Sequence, residues 1–344
     1  MPLRSLLSTP VLAATIACAA FIPALRAEPL EPPLELLFDR ANVLVAGTLA
    51  DTSRAGHLVF RRDEVLHAGT PPPERIDVRA APAAIANAKI GERYIVGYTA
   101  AMPDPRHPGA MVADPRGPVL LDSAGLEPAL FVDSPELRRI LRQARSERER
   151  DSRGMRGLLF AALEGRDQPL QSLAAAQIAL DPDLAERLTD ADRARLEAFV
   201  RAPGNPASAR TTLLAAAAAD PAHHGDWAPA VAKSIVTTPP AGGYTAPAES
   251  VVGLVRLAFD IVDRRRVPVA AAALGNWIGS GSVSLADRAL TSLQRQQPAA
   301  VRPAIDAALA KPGLPAQTRT FLERTRQRLE RVDASRRKQA EGSR

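Results

Sequence analysis

The densest group of chemically capable side chains is His223-His224-Gly225-Asp226-Trp227. Two imidazoles and a carboxylate could each donate an electron pair to a divalent cation, and imidazole is the commonest protein metal ligand. Adjacent histidines on a loop diverge, however, and zinc takes three or four converging ligands. His223, His224 and Asp226 are therefore candidate metal ligands only if further ligands arrive from elsewhere in the chain. The competing expectation is that Asp226 caps a helix starting at Trp227 while both histidines face water. A second group, Asp104, Arg106, His107, Asp114 and Arg116, could pair an aspartate with a histidine as acid and base. Five prolines among these residues (Pro103, Pro105, Pro108, Pro115 and Pro118) predict an extended, solvated loop instead. The third group is Arg138, Arg142, Arg145 and Arg153, whose spacing can place guanidiniums on one helix face. Such a face either pairs with carboxylates of the same chain or meets an anionic partner, an envelope phospholipid surface included.

Other catalytic chemistry has no signature. There is no glycine-lysine phosphate loop, no glutamate flanked by two histidines at zinc-protease spacing, no nucleophile elbow and no acidic calcium loop. Gly279-Ser280-Gly281-Ser282 lacks the preceding strand and later glycine of a dinucleotide fingerprint, and reads as a turn between helices. No cofactor is expected. The single cysteine, Cys18, falls in the leading segment, so thiol nucleophiles and thiolate metal sites are excluded from the rest.

That leading segment has the anatomy of an export signal. Arg4 lies in a short n-region, an apolar run extends from Val11 to Ile22, Pro23 breaks it, and Ala24-Leu25-Arg26-Ala27 offers small residues for cleavage after Ala27. The run is far shorter than the roughly 20 residues of a spanning helix. Residues 1–27 are thus expected to be a signal peptide and the chain periplasmic or secreted. The alternative is a lipoprotein anchored through Cys18, since Thr15-Ile16-Ala17-Cys18 loosely matches a lipobox.

Charge is distributed unevenly. Forty of the 44 basic residues are arginine, a bias that a GC-rich genome would impose without selection. From Glu28 to Asp133 there are 15 acids against 10 bases, whereas Arg138–Arg156 has eight bases against three acids and Arg319–Arg344 nine against four. An acidic front is followed by a body with basic ends. Nucleic acid is a poor partner for an exported protein whatever the calculated pI, and none is expected.

The elements that must position these residues fall into two periodicities. Between 34 and 133 the pattern is of short strands: Val43, Val45, Gly47 and Leu49 alternate with Leu44, Ala46 and Thr48, then come 58–60, 65–66, 76–79, 93–99, 119–121 and 129–132. Proline-rich turns at 69–73 and 102–109 separate them. The order "NVLVAGTLAD…HLVFRRDEVLHAG…ERIDVRA…GERYIVGYTA" resembles the netrin-like, tissue-inhibitor-like OB barrel of exported bacterial proteins. The resemblance implies an OB architecture; the animal family's paired cysteines are absent, so its protease-inhibiting edge is not carried over.

From Ser134 the period becomes helical, with Ser134-Pro135-Glu136 as a capped start. Helices are predicted at roughly 135–145, 155–164, 168–180, 190–201, 206–219, 226–237, 247–264, 267–278, 285–296, 298–310 and 315–338, and Thr189 to Asp192 reads as a capping box. They pair into units of HEAT-repeat length, with Val251–Val262 as a helix buried on most sides and the arginine-rich last helix as a polar cap. The expected fold class is α+β in two domains: a small N-terminal OB-like β-barrel (34–133) and a C-terminal all-α HEAT-like solenoid (134–338), with a disordered tail at 339–344. The function expected of it is that of a non-enzymatic interaction or scaffold protein binding a protein or an extended chain. The competing class is an envelope enzyme, a metal-dependent hydrolase with a site assembled from distant residues.

Overall fold

A computed structural model describes residues 30–104, 106–107, 111–146, 152–238 and 249–342. The signal-like segment 1–27 with Cys18 lies outside these residues, and from Glu31 onward the chain is one compact unit. It is α+β, with a six-stranded sheet in its N-terminal part and helices in its C-terminal part.

Helix α1 (Pro33–Leu37) leads into strands β1 (Asn42–Asp51), β2 (His57–His67) and β3 (Arg75–Arg79). Helix α2 (Pro82–Asn87) precedes β4 (Arg93–Thr99), the short β5 (Ala101–Pro103) and β6 (Met111–Ala113), then β7 (Val119–Leu120) and β8 (Leu130–Val132). β1 pairs antiparallel with both β2 and β4, and β2 pairs with β3. β3 meets β7 in parallel, and β7 pairs antiparallel with β4, which also carries β8. The succession of neighbours therefore returns to β1.

Successive strand residues face opposite sides, and here both sides are covered. Leu44, Ala46 and Ile95 enter a core shared with the helices, while Val45, Leu49, Tyr94 and Val96 enter a second core with Phe60, Ile76 and Val78. This double burial explains why Arg93–Thr99 is apolar almost without interruption. Two expectations change. The segment 57–67 is one strand rather than two, because its pairing with β1 continues through Arg61, Arg62 and Glu64 despite their charge. The turn expected at 102–109 begins with a strand: β5 and β6 form their own two-stranded sheet, where Pro103 sits on an edge and interrupts no ladder.

The helices are α3 (Pro135–Ser146), α4 (Ser152–Leu163), α5 (Gln168–Leu180), α6 (Pro182–Ala185), α7 (Asp190–Arg201), α8 (Ala207–Ala219), α9 (Pro221–His224) and α10 (Ala228–Thr237). After them come α11 (Glu249–Arg264), α12 (Ala271–Ile278), α13 (Val283–Gln296), α14 (Val301–Leu309) and α15 (Ala316–Gly342). Their starts follow local chemistry. Ser134 Oγ accepts from the Leu137 N–H, Thr189 and Asp192 complete a reciprocal capping box, and Ser282 caps α13 after the glycine-serine turn. α5, α8, α11, α13 and α15 touch in succession, as do α7, α10, α12 and α14.

Two further corrections and one refinement follow. The expected two domains share a core: one hydrophobic cluster runs from Leu34, Leu44 and Phe131 through the helices to Leu322, beside the second cluster that stays within the sheet. The helix expected to be buried on most sides but for Gly253, Arg256 and Asp260, α11, buries Leu254, Val255, Ala258, Phe259, Ile261 and Val262 and leaves Gly253 and Arg256 in solvent; α5, with six consecutive buried residues from Leu173 to Ile178, is enclosed more fully. The last helix continues to Gly342, through most of the tail expected to be disordered.

The join between sheet and helices runs through α5. The Leu34 N–H donates to Gln177 Oε1 at 3.0 Å, and Gly125, at φ +79°, lies so near that an added Cβ would stand 2.5 Å from Ala176 Cβ. Gly125→Ala combines left-handed backbone strain with overpacking, so it should lower unfolding stability by about 2–4 kcal/mol. Urea denaturation followed by circular dichroism checks this, with Gly117→Ala, which meets nothing within 4 Å, as the control for backbone strain alone.

Candidate functional site

The arginine face is built where the strands hand over to the helices. Asp133 directly follows β8, and its N–H donates to the Arg93 carbonyl at 3.0 Å. Its carboxylate, only 7 % exposed, is met side-on by Arg138 from the first turn of α3, Nε to Oδ1 at 2.6 Å and Nη2 to Oδ2 at 2.9 Å. Arg138 also reaches Glu64 of β2 at 3.0 Å, and Arg93 of β4 reaches Asp133 at 3.0 Å. A bidentate guanidinium–carboxylate pair is among the strongest charge-assisted contacts. The hydrogen bond to Asp133, then that to Glu64, hold the Arg138 pKa above its ordinary range against the opposing effect of burial. The acidic front of the chain thus docks onto the basic helix that follows it.

Further along α3 the pairing stops. Arg142 donates to the Arg138 carbonyl at 3.3 Å and Arg145 to the Leu66 carbonyl at 3.2 Å. Among the described residues neither has a carboxylate within ion-pair distance. Both line a cleft of about 710 Å³ between α3 and the sheet, whose apolar wall includes Phe38, Leu66 and Leu141. Arg153 is at the start of α4, and its side chain lies outside the described residues. Glu64, Arg93, Asp133 and Phe38 were not anticipated as parts of this site. The one local signal was Asp133 just before the Ser134 cap, five residues ahead of Arg138.

A second cleft, of about 470 Å³, opens between α2, β4 and the first turns of α5 and α8. Its polar groups are satisfied mutually: the Tyr94 hydroxyl donates to Glu92 and accepts from the Lys89 N–H, and Ser172 and Ser208 hydroxyls stand 3.3 Å apart. Burial pushes the Glu127 carboxyl above the usual carboxylate range, opposed by its bond with Ser208.

No family model, curated protein or solved structure matches this chain.

The expectation that His223, His224 and Asp226 share a metal is corrected. His223 pairs with Asp220 at 2.6 Å, Asp226 is exposed, and His224 is only 4 % exposed within the helical core. Among the described residues no group of three or more His, Cys, Asp or Glu could hold a metal ion. Nor does Asp226 cap a helix: α10 begins at Ala228 without a side-chain cap, while Asp220 caps α9 by accepting from the His223 N–H. The proline loop does bring Asp104 to His107, at 2.8 Å, but His107 is open to solvent. The Arg106 N–H and His107 hold the Asp104 carboxyl below its usual range, a poor proton donor. Asp114 is occupied by Arg79 at 2.5 Å and by Arg116.

Two predictions arise. Arg138→Ala would leave Asp133 partly unpaired and cost about 1–3 kcal/mol in chemical denaturation, whereas Arg142→Ala should stay within about 0.5 kcal/mol. For His224, burial lowers the pKa from 6.5; the nearby Ile178 and Asp220 backbone groups favour charge, yet neither ring nitrogen has a hydrogen-bond partner of normal geometry. A lowered folded-state pKa means stability is intact above about 6.5 and is lost as pH falls below it. The stability advantage of His224→Leu over the parent should therefore grow between pH 8 and pH 5, as measured by thermal melts across that range.

Proposed function

We infer that this chain is an exported interaction protein of a bacterial envelope, an OB-like module mounted at the head of a HEAT-like stack of helix pairs. The signal-like leader supports export. The OB reading is supported by the pairing order β1-β2-β3-β7-β4-β1, with β3 and β7 parallel and a helix between β3 and β4. The helix pairs α4–α5, α7–α8, α10–α11, α12–α13 and α14–α15, each in contact with the next along one or both rows, support the solenoid reading.

The observation that carries the functional reading is the cleft holding Arg142 and Arg145. Arg138 and Arg93, which line the same cleft, are paired with Asp133, whereas Arg142 and Arg145 have no carboxylate partner among the described residues. Two guanidiniums held by backbone carbonyls beside apolar side chains offer charge and area together, the composition of a recognition surface. Among the described residues the candidate groups for hydrolysis are placed less favourably: His223 pairs with Asp220 while His224 is buried, and the Asp104–His107 pair is open to solvent with the Asp104 carboxyl held below its usual range.

A photoreactive phenylalanine analogue placed at Phe38, which lines the cleft and leaves both arginines in place, should yield in the bacterium of origin a discrete light-dependent adduct with one partner. The same analogue at position 302, far along the stack, should not. Equal labelling at both positions, or no adduct at 38 from cells that display the protein, would refute the reading.

A further inference from the structure

The cleft between α3 and the sheet sets charge beside apolar surface. α3 contributes the guanidiniums of Arg142 and Arg145, one helical turn apart, together with Leu141; α1 and β2 contribute Phe38, Leu66 and Glu64, and Arg145 reaches across to the Leu66 carbonyl. Residues three apart on a helix have Cβ atoms about 5–6 Å from each other, and alternate side chains of an extended peptide recur at about 6.8 Å. An extended chain with acids at alternate positions therefore matches the arginine pair while turning its intervening side chains toward the apolar surface.

We propose that the cleft binds a short extended segment of a partner protein in which acidic and apolar residues alternate, with two carboxylates engaging Arg142 and Arg145. The proposal deepens the interaction reading above and rests on it. Charge complementarity selects the occupant. Arg138 and Arg93 are already neutralised by Asp133 and Glu64, so among the described residues the unpaired guanidiniums lining the cleft are those of Arg142 and Arg145. A planar anionic lipid surface fits worse: Glu64 lies in the same cleft, about half exposed, and would face the headgroups. A narrow chain can engage the arginines and leave Glu64 to its existing partners. The irregular register of β2 against β1 between 62 and 67 argues against the peptide simply extending the sheet, because bulges twist such an edge away from a new strand.

The test uses the full chain and a fluorescein-labelled alternating Glu-Leu peptide of about eight residues, the length that spans such a cleft. Fluorescence anisotropy should show binding that weakens markedly between about 0.05 M and 0.5 M salt, as exposed ion pairs must. The double substitution Arg142→Gln and Arg145→Gln should weaken it about tenfold, the combined effect of two partly exposed pairs. Arg302→Gln on α14 should leave it unchanged, and thermal melts of each variant separate loss of binding from loss of fold. Equal affinity for a Lys-Leu peptide, or an unchanged affinity in the double variant, would overturn the proposal. So would a double variant that loses affinity for phosphatidylglycerol vesicles when the parent never binds the peptide, an outcome that assigns the arginines to lipid. If the peptide fails while the cross-link at position 38 still recovers one partner, the acidic-segment chemistry falls and the interaction reading stands; if both fail, both fall.

Discussion

Helix α5 has almost no solvent side, and the rest of the molecule is arranged around that constraint. Consecutive helical residues point about 100° apart, so the buried run from Leu173 to Ile178 covers the whole circumference. Neighbours must come from every direction: α4 and α8 from the helical part, α1 and the Gly125 loop from the sheet part. Alanines at 174–176 allow these backbones to approach closely, and both buried glutamines of α5 are satisfied, Gln171 within the helical part and Gln177 across the join. Gln171 donates to the Leu163 and Gly165 carbonyls, while Gln177 accepts from the Leu34 N–H and donates to Asp181. Removing the sheet would strip α5 of apolar cover and orphan a buried amide at once. For this reason a chain whose periodicity changes abruptly at 134 still has a core that runs unbroken across that point, beside the one enclosed by the sheet.

Arginine supplies the ties that cross between helix pairs. Arg195 of α7 lies 4.3 Å over the Phe160 ring of α4 and pairs with Glu164 at 2.7 Å, and Arg193 donates to the His223 carbonyl at 2.8 Å. Arg288 of α13 meets Asp260 and Asp263 of α11. A guanidinium can stack, chelate a carboxylate and donate to a carbonyl in one conformation, which an ammonium cannot. Codon bias would explain how many arginines there are; it leaves their placement at these crossings unexplained.

What was legible in the sequence was whatever local chemistry determines. β4, α5 and α7 have the bounds expected of them because caps, prolines and period lie within the segments themselves. The single-turn helices α6 and α9, each opened by an Asp-Pro step, are too short to express a period and were missed. At the candidate site, the spacing of Arg138, Arg142 and Arg145 was readable, whereas their partners were not. Glu64 and Arg93 reach α3 only because β2 and β4 both flank β1, a pairing that joins residues far apart in sequence. His224 shows the converse. Two adjacent histidines look alike in sequence, and tertiary packing alone turns one to solvent and the other into the core.

The saturated and unsaturated arginines of α3 depend on each other. Asp133 is anchored to β4 by its own N–H and grips Arg138 in two bonds, which fixes the axis and rotation of the helix at its first turn. Arg142 and Arg145 then project from a helix that cannot roll, each further steadied by a carbonyl. Ordering flexible arginines is a principal cost of binding through them, and that cost is lower when the backbone and part of the side chain are already held. Had all three arginines found carboxylates, α3 would be a structural strut; had none, its cations would be mobile and weakly selective. The division between the first turn and the next two makes this segment a joint of the fold and, on the function proposed above, a prepared surface for an anionic partner.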